Sequence, residues 1–179
     1  MLGKRRAYVM EEKKKYKLTV IHDSSVHRVL NEEVLKQIIS QSYKNVDFMI
    51  LDMEGNCDSY GCLRKEAVDL LLTFEMLGFE RSTLAGGIFY NLLPCKQIHI
   101  LTRDNLPNEK YLEKQLSISM FFYCTDSQYY QYLLEKYPDI PYLKEVKGWK
   151  SSDDEKSAET NANILSEIIE EVMQICHMA

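Results

Sequence analysis

Short, continuously apolar runs alternate along this chain with stretches in which apolar residues recur every three or four positions, the period of a helix face. The β-branched run "KLTVIHD" (17–23) predicts a strand ending on Asp23. After it, Val34, Leu35, Ile38 and Ile39 mark one helical face, with Asn31 placed to cap its start. "DFMILDME" (47–54) predicts a second strand, and from Leu63 the residues Ala67, Leu70, Leu71, Phe74 and Leu77 recur at helical spacing until Gly78 closes the pattern. "STLAGGIFYNLLP" (82–94) suits a strand or a buried loop, since glycines and a proline bound its short apolar run. "KQIHILTRD" is the third clear strand, "NEKYLEKQL" a short helix after Pro107, and "SISMFFYCTD" the fourth clear strand. "SQYYQYLLEKY" predicts a helix that stops at Pro138, with Tyr130, Leu133, Leu134 and Tyr137 as its packing face. A polar, proline-containing connector follows, then a last amphipathic helix carrying Ile164, Leu165, Ile168, Ile169, Val172, Met173 and Cys176 on one side. No internal repeat is visible.

Strands that are apolar on both faces and alternate with helices predict an α/β fold: a single-domain three-layer α/β/α arrangement with a mainly parallel sheet of four to five strands. A chain of 179 residues suits one such domain. Its expected parts are a basic N-terminal arm (1–16), the α/β domain (17–143), a connector (144–158) and the C-terminal helix (159–177). That helix closes one side of the sheet or, alternatively, pairs with a second copy to make a homodimer.

Charge changes this picture at the N-terminus only. Net charge is −5, yet seven of the 22 basic residues (Lys4, Arg5, Arg6, Lys13, Lys14, Lys15, Lys17) precede position 18. Such an arm suits a solvated terminus, or contact with nucleic acid or an acidic partner. The apolar runs fall far short of the ~20 residues that cross a bilayer, so no membrane partner is expected. Five cysteines, an odd number scattered through a domain that needs no staples, imply free thiols and a cytoplasmic location. Cys124 reads as a small core residue.

Ligands of parallel sheets bind at the carboxyl ends of the strands. Asp23, Asp52, Asp104 and Asp126 all fall at or just past such an end, and strand alternation puts Glu54 on the same side as Asp52. Carboxylates gathered at one rim repel one another unless a cation offsets them, and hard oxygen ligands select Mg²⁺. The competing explanation is that aspartates commonly cap helices and start loops.

Two family resemblances can be stated. "KLTVIHDSSVHRVLNEEVL", "VDFMILDMEGNCDSYGCLRK", "IHILTRDN" and "MFFYCTDSQYYQYLLEKY" resemble strand-end segments of response-regulator receiver domains. That resemblance implies Asp23 and Asp52 as Mg²⁺ ligands, to which the acidic strand-end cluster adds Glu54, with Asp52 as phosphoacceptor, Thr102 as the hydroxyl residue ending the next matching strand, Asp126 beyond the last, and signalling by binding a protein partner. "VIHDSSVHRVL" and "ILTRDNL" also resemble the first and fourth acidic strands of PIN-type ribonucleases. Here the implication is a metal-dependent phosphoryl-transfer enzyme with Asp23, Asp52 or Glu54, and Asp104 around the ion. A non-catalytic adaptor, with the acids serving only as caps, is the third expectation.

Overall fold

A computed structural model describes residues 16–22, 36, 46–52, 63, 68–79, 86–102, 109–151 and 154–176, with backbone alone at 22, 46–48 and 50–52. Six parallel strands form one sheet: β1 (Tyr16–His22), β2 (Val46–Asp52), β3 (Leu70–Phe74), β4 (Lys96–Leu101), β5 (Met120–Cys124) and β6 (Leu143–Glu145). Their order is β2-β1-β3-β4-β5-β6, and every adjacent pair is parallel. The chain winds outward to β2, then returns past β1 and proceeds the other way, which places the topological switch point between β1 and β3. This is the flavodoxin-like doubly wound order with one further strand.

The expected α/β/α layering is present. One core combines Ile21, Leu71, Leu101 and Phe122 with Tyr129 and Leu133 of helix α1 (Ser127–Lys136) and its C-cap Tyr137. The opposite core packs Leu18, Val20, Leu72, Ile98 and Phe121 against Leu165, Ile168, Ile169 and Val172 of helix α2 (Glu155–Ile175). Each fully buried Leu, Ile or Phe there contributes about 1.5–3 kcal/mol. The apolar side of α2 is thus taken up by its own sheet, so contact with a second copy through this helix would have to use the outward side. Buried Asn161 ties the preceding chain down, since its amide donates to the Lys150 carbonyl and accepts from the Lys150 N–H, both at 2.8 Å.

Three local expectations are corrected. Leu63 is helical, but the periodic stretch expected to continue as a helix to Leu77 has become β3 by Leu70. All five residues of β3 are buried, and a run buried on both faces matches helical spacing and strand spacing equally well. Within 82–94 the described portion, 86–94, is not a strand but a connecting segment with a 3-10 helix, Phe89–Leu92, and with Ile88, Phe89, Tyr90 and Leu93 buried. On α1, Leu134 is 41% exposed and Tyr129 replaces it on the packing face.

The segment after Pro107 forms a single 3-10 helix, Glu109–Glu113. So short a helix has little stability of its own, and tertiary bonds hold it. The Glu109 carboxylate accepts hydrogen bonds from Tyr129, Tyr132 and Tyr137 hydroxyls at 2.8 Å and from Lys136 Nζ at 2.9 Å, all on or next to α1. Burial pushes this carboxyl up, but the four donors outweigh it and hold it at about 2. No helix among the described residues is long and apolar enough to cross a membrane.

Candidate functional site

Register brings the strand ends to one level. His22 pairs with Asp52, Phe74 with Ile100, and Leu101 with Cys124, which in turn pairs with Glu145. The carboxyl ends of all six strands therefore form a continuous rim.

At its centre the chain leaves β3 through Glu75-Met76-Leu77-Gly78-Phe79 in two tight turns: Leu77 N–H donates to the Phe74 carbonyl at 2.8 Å, and Phe79 N–H to the Met76 carbonyl at 3.1 Å. Met76 and Phe79 are fully buried and anchor this reversal. Glu75 and Met76 both lie in the left-handed region, at φ 50° and 54°. A side chain in that conformation costs roughly 1–2 kcal/mol per residue, and glycine, used at Gly78 (φ 87°), would avoid the cost.

The strained backbone sets the Glu75 carboxylate beside β4. Only 5% of Glu75 is exposed. Its Oε1 accepts from the Thr102 N–H at 2.7 Å and from the Thr102 hydroxyl, while its own N–H donates to the Ile100 carbonyl at 2.8 Å. The ends of β3 and β4 are thereby latched through one oxygen.

Further along the rim, Asp126 caps α1, its Oδ1 accepting from the Tyr129 N–H at 2.7 Å. Glu145 accepts from the Ser127 hydroxyl. The buried Cys124 thiol senses these acids: it is pushed up to about 11, chiefly by burial and further by the charges of Asp126, Glu75 and Glu145, against a bond to the Asp126 backbone that lowers it. Cys124 stays a protonated core thiol.

The acids expected from sequence are placed unevenly. Asp23, Glu54 and Asp104 lie outside the described residues. Asp52 ends β2, the edge strand, with β1 and β3 between it and β4; three strand spacings are about 14 Å. Thr102 does end β4, and the acid it meets is Glu75. Among the described residues no three of His, Cys, Asp and Glu are grouped so as to hold a metal ion.

No protein-family model, curated protein or solved structure matches the chain. The site therefore has to be read from its own chemistry. Glu75 was the residue absent from the sequence-based set, although it has the same signature as the others, an acid directly after an apolar run ("LLLTFE"). Assigning that run to a helix hid it.

Proposed function

We propose that the chain is a regulatory α/β domain, similar to a degenerate receiver, that acts by binding a protein partner at the carboxyl rim of its sheet. The observation that carries this reading is the Glu75–Thr102 pair next to the β1/β3 switch point. Two successive left-handed residues and a buried carboxylate at a strand end are costly features that core packing alone does not require, and such strain gathers at functional sites. The strand order supports the resemblance, because receiver domains share the flavodoxin-like winding.

Where a receiver places a hydroxyl residue to answer a phosphorylated acid, Thr102 already answers the carboxyl group of Glu75. The latch is then fixed, and the rim presents one lasting surface to its partner rather than a switched one. The free thiols Cys95, Cys124 and Cys176 fit the expectation of a reducing, cytoplasmic setting. Nothing in the described rim fits Mg²⁺, so the ion enters only as a probe of the acids at Asp23, Asp52 and Glu54.

Incubation with a small-molecule phosphodonor and Mg²⁺, followed by intact mass, tests the reading. The expected result is no phosphoryl gain, and stable attachment to Asp52 would overturn the reading of an unswitched rim. A parallel incubation with labelled single-stranded RNA decides the ribonuclease alternative: cleavage lost in Asp104→Asn replaces the regulatory reading with the enzymatic one. Thermal unfolding with and without millimolar Mg²⁺ or Mn²⁺ reports separately on metal binding, since a ligand at a hundredfold its Kd stabilises the native state by about 2.7 kcal/mol.

A further inference from the structure

The two faces of the sheet differ in kind. Toward α2 the buried strand side chains are aliphatic or aromatic, as at Leu18, Leu72, Ile100 and Phe121. By strand alternation Thr19, Thr73, Gln97 and His99 all point to the other face, and each is 1% exposed or less.

His99 is the group with no provision for charge. Its ring stacks on Phe122 (centroids 4.9 Å apart, planes at 24°), meets the edge of Phe79 at 4.9 Å and leans on Tyr90 at 5.7 Å. Among the described residues neither Nδ1 nor Nε2 has a hydrogen-bond partner, and beside it the Thr73 hydroxyl and Gln97 Oε1 are also without one. A neutral imidazole has one donor and one acceptor, whereas the cation has two donors and a charge. Burying that charge unpaired is prohibitive.

The cover over His99 is held as one piece through Tyr90. Its hydroxyl donates to the Leu77 carbonyl at 2.6 Å, joining helix to turn, while its carbonyl accepts from Gln97 Nε2 of β4 at 2.8 Å, a bond to the sheet that release would break. Ring contact between Phe79 and Tyr90 at 5.2 Å completes the link. The Glu75–Phe79 turn and the Phe89–Leu92 helix therefore leave or stay together.

We propose that His99 is an acid-sensitive release for this cover: on acidification the turn and the 3-10 helix lift from the sheet as a unit, while α2 stays docked on the opposite face. Among the described residues, the groups that face His99 offer it no counter-charge. On β3 the neighbour is Thr73, with Glu75 beyond the strand end and bound by Thr102; on β5 it is Phe122, with the neutral Cys124 thiol beyond; on the turn it is Phe79, and on the 3-10 helix Tyr90. Burial alone lowers the imidazole to about 3, with no charged neighbour contributing.

The sign follows from that direction. A histidine depressed in the closed state favours closure above its free value of about 6.5, and the preference is lost as pH falls toward 3. Between pH 7.5 and pH 5.0 the protonation of an uncovered imidazole multiplies the opening constant about thirtyfold.

Hydrogen exchange with mass spectrometry at these two pH values, corrected for intrinsic exchange rates, tests the proposal. Expected is a roughly thirtyfold loss of protection in 75–79 and 89–92, none in 155–175, and no pH dependence in His99→Phe. Equal loss in 155–175, or a His99→Phe variant that follows the wild type, would overturn it. Should that variant fail to fold, imidazole ¹³C shifts in the wild type decide: a neutral ring down to pH 4.5 in the closed form is expected, and titration near 6.5 sinks the idea.

Discussion

Replacing Thr102 by valine removes the hydroxyl from the Glu75 latch while keeping side-chain shape and the Thr102 N–H bond of 2.7 Å. The lost bond runs to a carboxylate in a residue 5% exposed, and hydrogen bonds to charged groups contribute about 1.5–3 kcal/mol. Water compensates little at such a site, so the expected cost is about 2 kcal/mol. In a chain of this size each kcal/mol shifts Tm by roughly 2–4 °C, which gives a fall of about 4–8 °C. Serine at 102 keeps the hydroxyl and loses one methyl group, a cost of about 1 kcal/mol or less. Circular-dichroism melts and urea titrations of wild type, Thr102→Val, Thr102→Ser, Glu75→Gln and the Glu75→Gln/Thr102→Val double variant measure both the single costs and their coupling. The latch is refuted if Thr102→Val unfolds within 0.5 kcal/mol of wild type, or if serine is as damaging as valine.

Three further outcomes are expected. Glu109→Gln removes the charge that anchors the 3-10 helix to α1, and at pH 7 should cost about 1–2 kcal/mol, the half-exposed Lys136 arm adding little. Because the native Glu109 carboxyl is held at about 2, its contribution is present above the ordinary carboxylate range and is lost as pH falls toward 2; urea unfolding at pH 7 and pH 2.5 should show the variant and wild type converging, and a constant gap would contradict the assignment. Cys95 and Cys124, both buried and pushed up to about 11 mainly by burial, should resist alkylation at pH 8 until denaturant is added, with rapid native labelling the contrary result. Asp126→Ala should cost about 1 kcal/mol as the loss of a helix cap without altering any Mg²⁺-dependent change in Tm, and loss of such a change would return Asp126 to the metal-binding residues.

The layered α/β architecture was legible because it depends on the alternation of apolar runs with helical spacing, which β1, β2, β4, β5, α1 and α2 all display. Length and placement failed where two periods coincide. "VDLLLTFEML" has apolar residues at helical separations and also seven consecutive buried positions, five of them in β3, and its β-branched content is too low to break the tie. β6 was missed for another reason: its three residues are partly exposed and carry Lys144 and Glu145, so no apolar run marks it, and pairing with β5 alone makes it a strand.

The candidate site shows how one misplaced element moves chemistry. Counting acids at predicted strand ends found Asp52 and Asp126, of which the second turned out to cap α1, but it could not weigh them without knowing which strand is central. Sheet order supplies that weight: β2 is an edge, β3 adjoins the switch point, and the acid that follows β3 is the one Thr102 reaches. Placing that acid also required a backbone feature with no sequence signature, since Glu and Met at left-handed φ read locally like any other pair. The same turn that holds Glu75 against β4 also lays Phe79 over His99, so a single strained reversal both shapes the rim and covers the uncharged imidazole. Acid release of the cover should therefore loosen the Glu75 latch as well, and the Thr102 amide, which donates to Glu75 Oε1, should lose hydrogen-exchange protection together with 75–79 as pH falls from 7.5 to 5.0.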